Sequence, residues 1–183
     1  MGDMLTGVCT TLDTTIRGHQ REDDVVAARK PTEEQLEGRY ERIASQLEAL
    51  YVKTSDPLAR MASAVALLHH KMPHYFWTGF YRLVDGDLLV GPYQGPIACM
   101  ELEPHVGVCW AGIDRGESLL VADVHDFPGH IACDSRSNSE VVVPVRDADG
   151  EIVAVFDVDS EQPAAFTDTD VAGLERIVAL IHQ

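Results

Sequence analysis

Apolar residues recur at helical spacing in three segments of the chain. The first stripe runs from Leu36 to Leu50 in steps of three and four residues, behind the capping-box sequence 32–35. A second stripe, between Leu58 and Leu68, follows the N-cap pair Asp56-Pro57. A third runs from Val171 to Ile181, behind the cap sequence 167–170. The spacing therefore predicts two helices near the start of the chain and one at its end.

Between the second and third stripes the pattern becomes extended. Aromatic and β-branched residues occur in short runs that are separated by turn sequences rich in Asp and Gly. The stretch 123–138, which contains Pro-Gly, is predicted to be irregular. Strands are predicted at 76–83, 88–93, 97–102, 118–122, 140–145 and 151–159.

This order of elements predicts an α+β fold. A single domain over residues 31–183 would have a central antiparallel sheet, with the helices packed on one face to bury their apolar stripes. Residues 1–30 show no sustained period, and we expect an irregular N-terminal extension there.

The last predicted hairpin places carboxylates together. If its four-residue turn is symmetric, Arg146 pairs with Glu151, and Glu140 falls opposite Asp157. Asp159 then lies diagonally nearby on the same face, because side chains alternate along a strand. Close like charges raise at least one carboxyl pKa, which keeps a proton available, while an ionised neighbour could hold a cation. The alternative is that these acids simply face solvent.

The same register predicts that Val142, Val153 and Val155 share the face of the acids. A bulge of one residue would reverse one strand and scatter the carboxylates.

Two aromatic residues of the first strand form a second candidate feature. Trp77 and Tyr81 are four residues apart and therefore share a face, with Gly79 leaving space between them. An aromatic wall with a gap suits a small apolar group such as a methyl. Ordinary core packing is the alternative.

Cysteines form the third candidate feature. Cys133 lies in the loop just before the acidic hairpin, and Cys99 and Cys109 are predicted in or beside turns. A reactive cysteine with a second thiol in reach can close a disulfide after oxidation. Buried, inert thiols are the alternative reading.

Composition narrows the possible partners. The chain has 30 acidic and 14 basic side chains, a net charge of −16, which disfavours binding to nucleic acid or to an anionic membrane. A substrate with an ammonium group would be attracted. The sequence shows no secretory start and no membrane-spanning run, so we expect a cytoplasmic protein with reduced thiols. The cysteines lack zinc-site spacing, and we expect no metal.

Several longer motifs together resemble the free methionine-(R)-sulfoxide reductases, which are built on the GAF fold. The resemblance runs from about residue 35 to the C-terminus, and its most specific part is residues 123–135. The motifs are Trp77-x-Gly79-Phe80-Tyr81, Gly91-Pro92-Tyr93-Gln94-Gly95, Gly107-Val108-Cys109, the stretch 123–135, Ser139-Glu140 and Asp157-Val158-Asp159.

The resemblance implies a role for each candidate. Cys133 would attack the sulfoxide sulfur and become a sulfenic acid, Cys99 would resolve it as a disulfide, and Cys109 would be a second resolving or relay thiol. Thioredoxin would reduce the disulfide, no cofactor would be needed, and a homodimer is plausible. The substrate would be free methionine-(R)-sulfoxide. Its ammonium group and its sulfoxide oxygen would contact Glu140, Asp157 and Asp159. Its S-methyl group would contact Trp77 and Tyr81.

A GAF-type module that binds a small ligand or senses redox state without turnover is the competing hypothesis. Such a module would have no need of paired thiols.

Overall fold

Three helices begin at the caps that the sequence predicts. The Thr32 hydroxyl accepts a hydrogen bond from the Gln35 amide at 3.2 Å, and the Gln35 side chain accepts one from the Thr32 amide at 3.0 Å. Asp56 accepts from the Leu58 amide at 2.9 Å. The final helix has a capping box at Thr167. These helices are α1 (Glu33–Tyr51), α2 (Pro57–Lys71) and α4 (Asp168–Val178), and a further helix, α3, spans Gly107–Arg115.

The computed structural model describes residues 30–130 and 134–183, of which Pro31–Gln183 form one compact unit. Its six strands form one sheet in the order β3-β2-β1-β6-β5-β4, and every neighbouring pair is antiparallel. The predicted α+β class is confirmed. The predicted extension lies outside the described residues, apart from Lys30. The strands are β1 (Trp77–Val84), β2 (Asp87–Gln94), β3 (Glu101–Leu102), β4 (Leu119–Val121), β5 (Ser139–Arg146) and β6 (Ile152–Ser160).

The sheet separates two apolar clusters. On one face α2 and α4 pack against the strands and α1 packs against both helices, which buries most of the predicted stripes in the larger cluster. The prediction is wrong for Leu50 and Leu58, which are exposed at the end of α1 and the start of α2. The other face carries a smaller cluster under α3, and this cluster contains Trp77, Tyr81 and Cys109. None of the described helices is long and apolar enough to cross a membrane.

Helix α3 corrects the expectation that Cys109 lies in or beside a turn. Cys109 is buried on this nine-residue helix, which packs against β5 and β6. The N-cap residue is Val106, whose side chain cannot cap, so the start of α3 lacks the usual sequence signal. Gly116 ends the helix in the left-handed conformation, at φ 67°.

The register of the last hairpin is also different from the prediction. Arg146 pairs with Ile152 rather than with Glu151, which lengthens the turn by one residue, and a bulge between Val145 and Arg146 adds a second one-residue shift. The two shifts add up to two residues, which is one full period of side-chain alternation, so the carboxylates stay on one face. Glu140 consequently lies opposite Asp159 rather than Asp157.

The bulge affects one apolar side chain. Val153 packs against the cluster on the helical face of the sheet, whereas Val142 and Val155 belong to the cluster under α3. The prediction that all three valines share the face of the acids is therefore wrong for Val153.

Candidate active site

The acids and the aromatic wall lie on adjacent strands of one sheet face. Trp77 of β1 pairs with Asp159 of β6, and Asp159 pairs in turn with Glu140 of β5. In the next row on the same face, Gly79 pairs with Asp157. Because side chains of paired residues stand side by side, one pocket is lined both by Trp77 and Tyr81 and by all three carboxylates.

Burial decides between the two interpretations of the carboxylates. Glu140 is 5% exposed and Asp157 is 7% exposed, so these two do not face solvent. Burial, with the neighbouring acids as the second cause, raises the pKa of Glu140 and of Asp159 well above the ordinary values. Burial raises the pKa of Asp157 to about 7, and hydrogen bonds from Cys109 and Glu140 limit that rise. The site therefore retains protons at neutral pH.

Asp157 is the acceptor at the centre of this group. Its side chain is hydrogen-bonded to both Glu140 and Cys109, and each of these neighbours can donate when it is protonated. Its Oδ1 atom is buried and has no hydrogen-bond partner within residues 30–130 and 134–183. A buried carboxylate oxygen that is not satisfied by the protein is a suitable contact for a cationic ligand.

Cys109 contributes a buried thiol from α3. The side chain is 6% exposed, and burial together with the charge of Asp157 raises its pKa well above the ordinary value. Very little thiolate is therefore present, and Cys109 acts toward Asp157 as a hydrogen-bond donor. The ligand atoms of Cys109, Glu140 and Asp157 lie within 4.8 Å of one another, so these donors could also hold a metal ion.

The aromatic wall of Trp77 and Tyr81 belongs to a stack of three rings. Trp77 stacks on Tyr81 with ring centroids 5.8 Å apart, and on Tyr93 of β2 at 5.5 Å. The sequence interpretation of Gly79 as a gap for a ligand is wrong. A Cβ atom at Gly79 would lie 2.4 Å from the Trp77 ring and 2.6 Å from the Tyr93 Cβ, so the indole itself occupies that space.

Gly79→Ala is therefore expected to displace the Trp77 ring and to destabilise the fold by about 1–3 kcal/mol, the usual cost of overpacking. Urea denaturation followed by tryptophan fluorescence measures this change. Gly38→Ala is the matched control, because its Cβ would meet only the flexible end of Arg42 and a helical glycine costs about 1 kcal/mol relative to alanine. Equal stability changes in the two variants would contradict this account of Gly79.

The cysteines differ in their state. Cys99 is disulfide-bonded and half-buried, whereas Cys109 is a free thiol. The predicted nucleophile Cys133 lies outside the described residues. His130 and Asp134, the described residues on either side of it, both line the pocket.

The sequence interpretation missed Ser137, which lines the pocket, and Tyr93, which lies beside the aromatic wall. Ser137 is buried and hydrogen-bonded to Asp159, and Tyr93 stacks on Trp77. Ser137 belongs to a stretch without periodicity. Tyr93 lies beside Trp77 because Gly79 pairs with Tyr93. A register shift between Gly79 and Tyr81 changes the pairing of β1 with β2, so simple alternation along the two strands does not predict this pair.

The fold defines the class of protein. Residues 58–183 match the GAF domain family. The chain is 39% identical over 144 residues to the free methionine-R-sulfoxide reductase of Escherichia coli, a match that covers 79% of this chain and 87% of that protein.

Solved structures give the same result. The free methionine-R-sulfoxide reductase of Neisseria meningitidis, in complex with its substrate, matches with a TM-score of 0.74 and 36% identity over 79% of this chain and 87% of that one. The reduced fRMsr of Staphylococcus aureus matches with a TM-score of 0.74 and 37% identity over 78% and 92% of the two chains. The chain therefore belongs to the GAF-domain family of free methionine-R-sulfoxide reductases.

Proposed function

We propose that this protein reduces free methionine-(R)-sulfoxide to methionine, with Cys133 as the nucleophile. The observation that carries the proposal is the pairing of β1 with β6, because it brings a proton-retaining carboxyl cluster against an aromatic wall. A methionine sulfoxide molecule has the matching parts: an ammonium group, a basic sulfoxide oxygen and an S-methyl group.

Asp157 and Asp159 hold the substrate ammonium group. The unpartnered Oδ1 atom of Asp157 gives the cation a direct contact, and the pKa of about 7 means that ionisation of this carboxyl costs little. An approaching ammonium group lowers that raised pKa and fixes Asp157 as the anion. A peptide-bound methionine sulfoxide lacks this ammonium group, so the cluster selects the free amino acid.

Glu140 supplies the proton for the oxygen transfer. Its carboxyl favours the protonated form, because burial and the neighbouring acids raise its pKa well above the ordinary value. The Cys133 thiolate attacks the sulfoxide sulfur and Glu140 protonates the oxygen. The resulting hydroxyl then moves to Cys133 as the bond between the two sulfur atoms breaks. The products are methionine and a sulfenic acid on Cys133. Trp77 and Tyr81 hold the S-methyl group, which fixes the configuration at sulfur.

Cys99 resolves the sulfenic acid. Its sulfur forms a disulfide with Cys133, and the oxygen leaves as water. The disulfide-bonded state of Cys99 supports this assignment. Cys109, the other candidate, is a free thiol whose raised pKa disfavours the thiolate needed for attack. Thioredoxin then reduces the disulfide, and this cycle requires a reducing compartment such as the cytoplasm.

The test is an assay of NADPH oxidation coupled through thioredoxin and its reductase. Turnover is expected with free L-methionine-(R)-sulfoxide and a much lower rate with the S epimer, because only one epimer places its methyl group on the aromatic wall and its oxygen near Glu140. The N-acetylated R form is the matched control for the ammonium contact. Equal rates with all three compounds would overturn the assignment of the substrate.

A further inference from the structure

We propose that Ile97 and Met100 form a docking patch for the protein dithiol that reduces the disulfide of Cys99. The inference rests on the proposed function, because that cycle must return Cys99 to a thiol after each turnover. The two residues stand two positions before and one position after Cys99 in the chain.

Exposure distinguishes the docking patch from its surroundings. Ile97 is 87% exposed and Met100 is 74% exposed, whereas their neighbours Ala98 and Leu102 are buried. Single apolar residues on a protein surface need no explanation. Here two large exposed apolar residues lie within two positions of a disulfide-bonded cysteine, and the buried residues Ala98 and Leu102 anchor the same segment.

The position of the segment in the sheet adds accessibility. The Met100 carbonyl accepts a hydrogen bond from the Val90 amide at 3.0 Å, which fixes the backbone beside β2. The next residues form β3, the outermost strand, and no described strand pairs with its outer side. A partner can therefore approach the docking patch from the open edge of the sheet.

The charge of the surrounding sequence selects the partner. Residues 83–114 contain five Asp and Glu residues and no Lys or Arg. A donor with an acidic rim would be repelled from this region. The partner that fits is a dithiol protein whose reactive cysteine is surrounded by apolar and by neutral or basic residues.

The chemistry requires contact at this place. A donor thiolate attacks one sulfur of the disulfide and forms a mixed disulfide, and the other sulfur leaves as a thiolate. The second donor thiol then displaces the reduced protein and leaves the donor oxidised. The two sulfurs of a disulfide are about 2 Å apart, so attack on either one brings the donor surface against the side chains that flank Cys99.

The test compares two reductants of the same disulfide. Met100→Gln is expected to raise the KM for thioredoxin about tenfold, which corresponds to the loss of one buried apolar side chain from an interface. The rate supported by dithiothreitol is expected to stay unchanged, because a small dithiol needs no docking surface. Met100 is the residue to change, since Ile97 also lines the pocket.

Val52→Gln is the matched control, an apolar residue that is 83% exposed at the end of α1. An unchanged KM for thioredoxin in Met100→Gln, or an equal rise in Val52→Gln, would overturn the docking patch. An equal loss with both reductants would also overturn it, since Met100 would then act on the disulfide itself. Failure of the wild-type protein to turn over with dithiothreitol would instead refute the proposed function.

Discussion

Cys133→Ser is expected to abolish turnover, because a serine hydroxyl is far less nucleophilic than a thiolate and cannot carry oxygen as a sulfenic acid. Methionine release from pre-reduced protein, without added reductant, is the direct measurement. The wild-type chain should release one methionine per active site, and Cys133→Ser should release none. A normal burst from this variant would remove Cys133 from the mechanism.

Cys99→Ser should separate oxygen transfer from resolution. With thioredoxin present, this variant is expected to release one methionine per chain and then stall, because the sulfenic acid on Cys133 has lost its resolving partner. Dimedone labelling followed by mass spectrometry should locate the trapped sulfenic acid at residue 133. Continued turnover at the wild-type rate would show that another thiol, such as Cys109, resolves the intermediate.

The shared face of the carboxylates was predictable from sequence, whereas their pairing was not. Side chains alternate along a strand with a period of two, so the two one-residue shifts, which add up to two residues, leave Glu140, Asp157 and Asp159 on one face. The pairing depends on how one turn closes. The Asp147 carboxylate accepts hydrogen bonds from the amides of Asp149 and Glu151, each at 3.0 Å, and this arrangement supports the longer turn.

The sequence did not predict which groups cover the acids. Helix α3 brings Cys109 over Asp157, yet its N-terminus has no capping side chain and its nine residues are too few for a clear period. The space at Gly79 depends on the orientation of the Trp77 ring, which tertiary packing sets. Local patterns therefore located the strands and their reactive residues, while contacts between distant segments determined the surroundings of each residue.

Glu140→Gln is expected to lower kcat for methionine-(R)-sulfoxide by about a hundredfold or more, the effect of losing a general acid. The amide has almost the same shape and can still donate a hydrogen bond to Asp157, but it cannot release a proton to the sulfoxide oxygen. The matched control is Glu41→Gln, an exposed residue of α1, which should leave kcat unchanged.

The stability of Glu140→Gln distinguishes a catalytic defect from a damaged fold. The folded protein keeps a proton on Glu140 that the unfolded chain releases above its ordinary pKa, because the folded-state pKa is raised. The free energy of unfolding therefore decreases as the pH rises through and above the ordinary pKa of glutamic acid. The amide of the variant does not titrate, so this loss of stability is absent from Glu140→Gln. The Tm of the variant at pH 8 should be equal to or higher than that of the wild type, although activity is lost. A lower Tm with a parallel loss of activity would mean that Glu140 supports the fold rather than the transfer of oxygen.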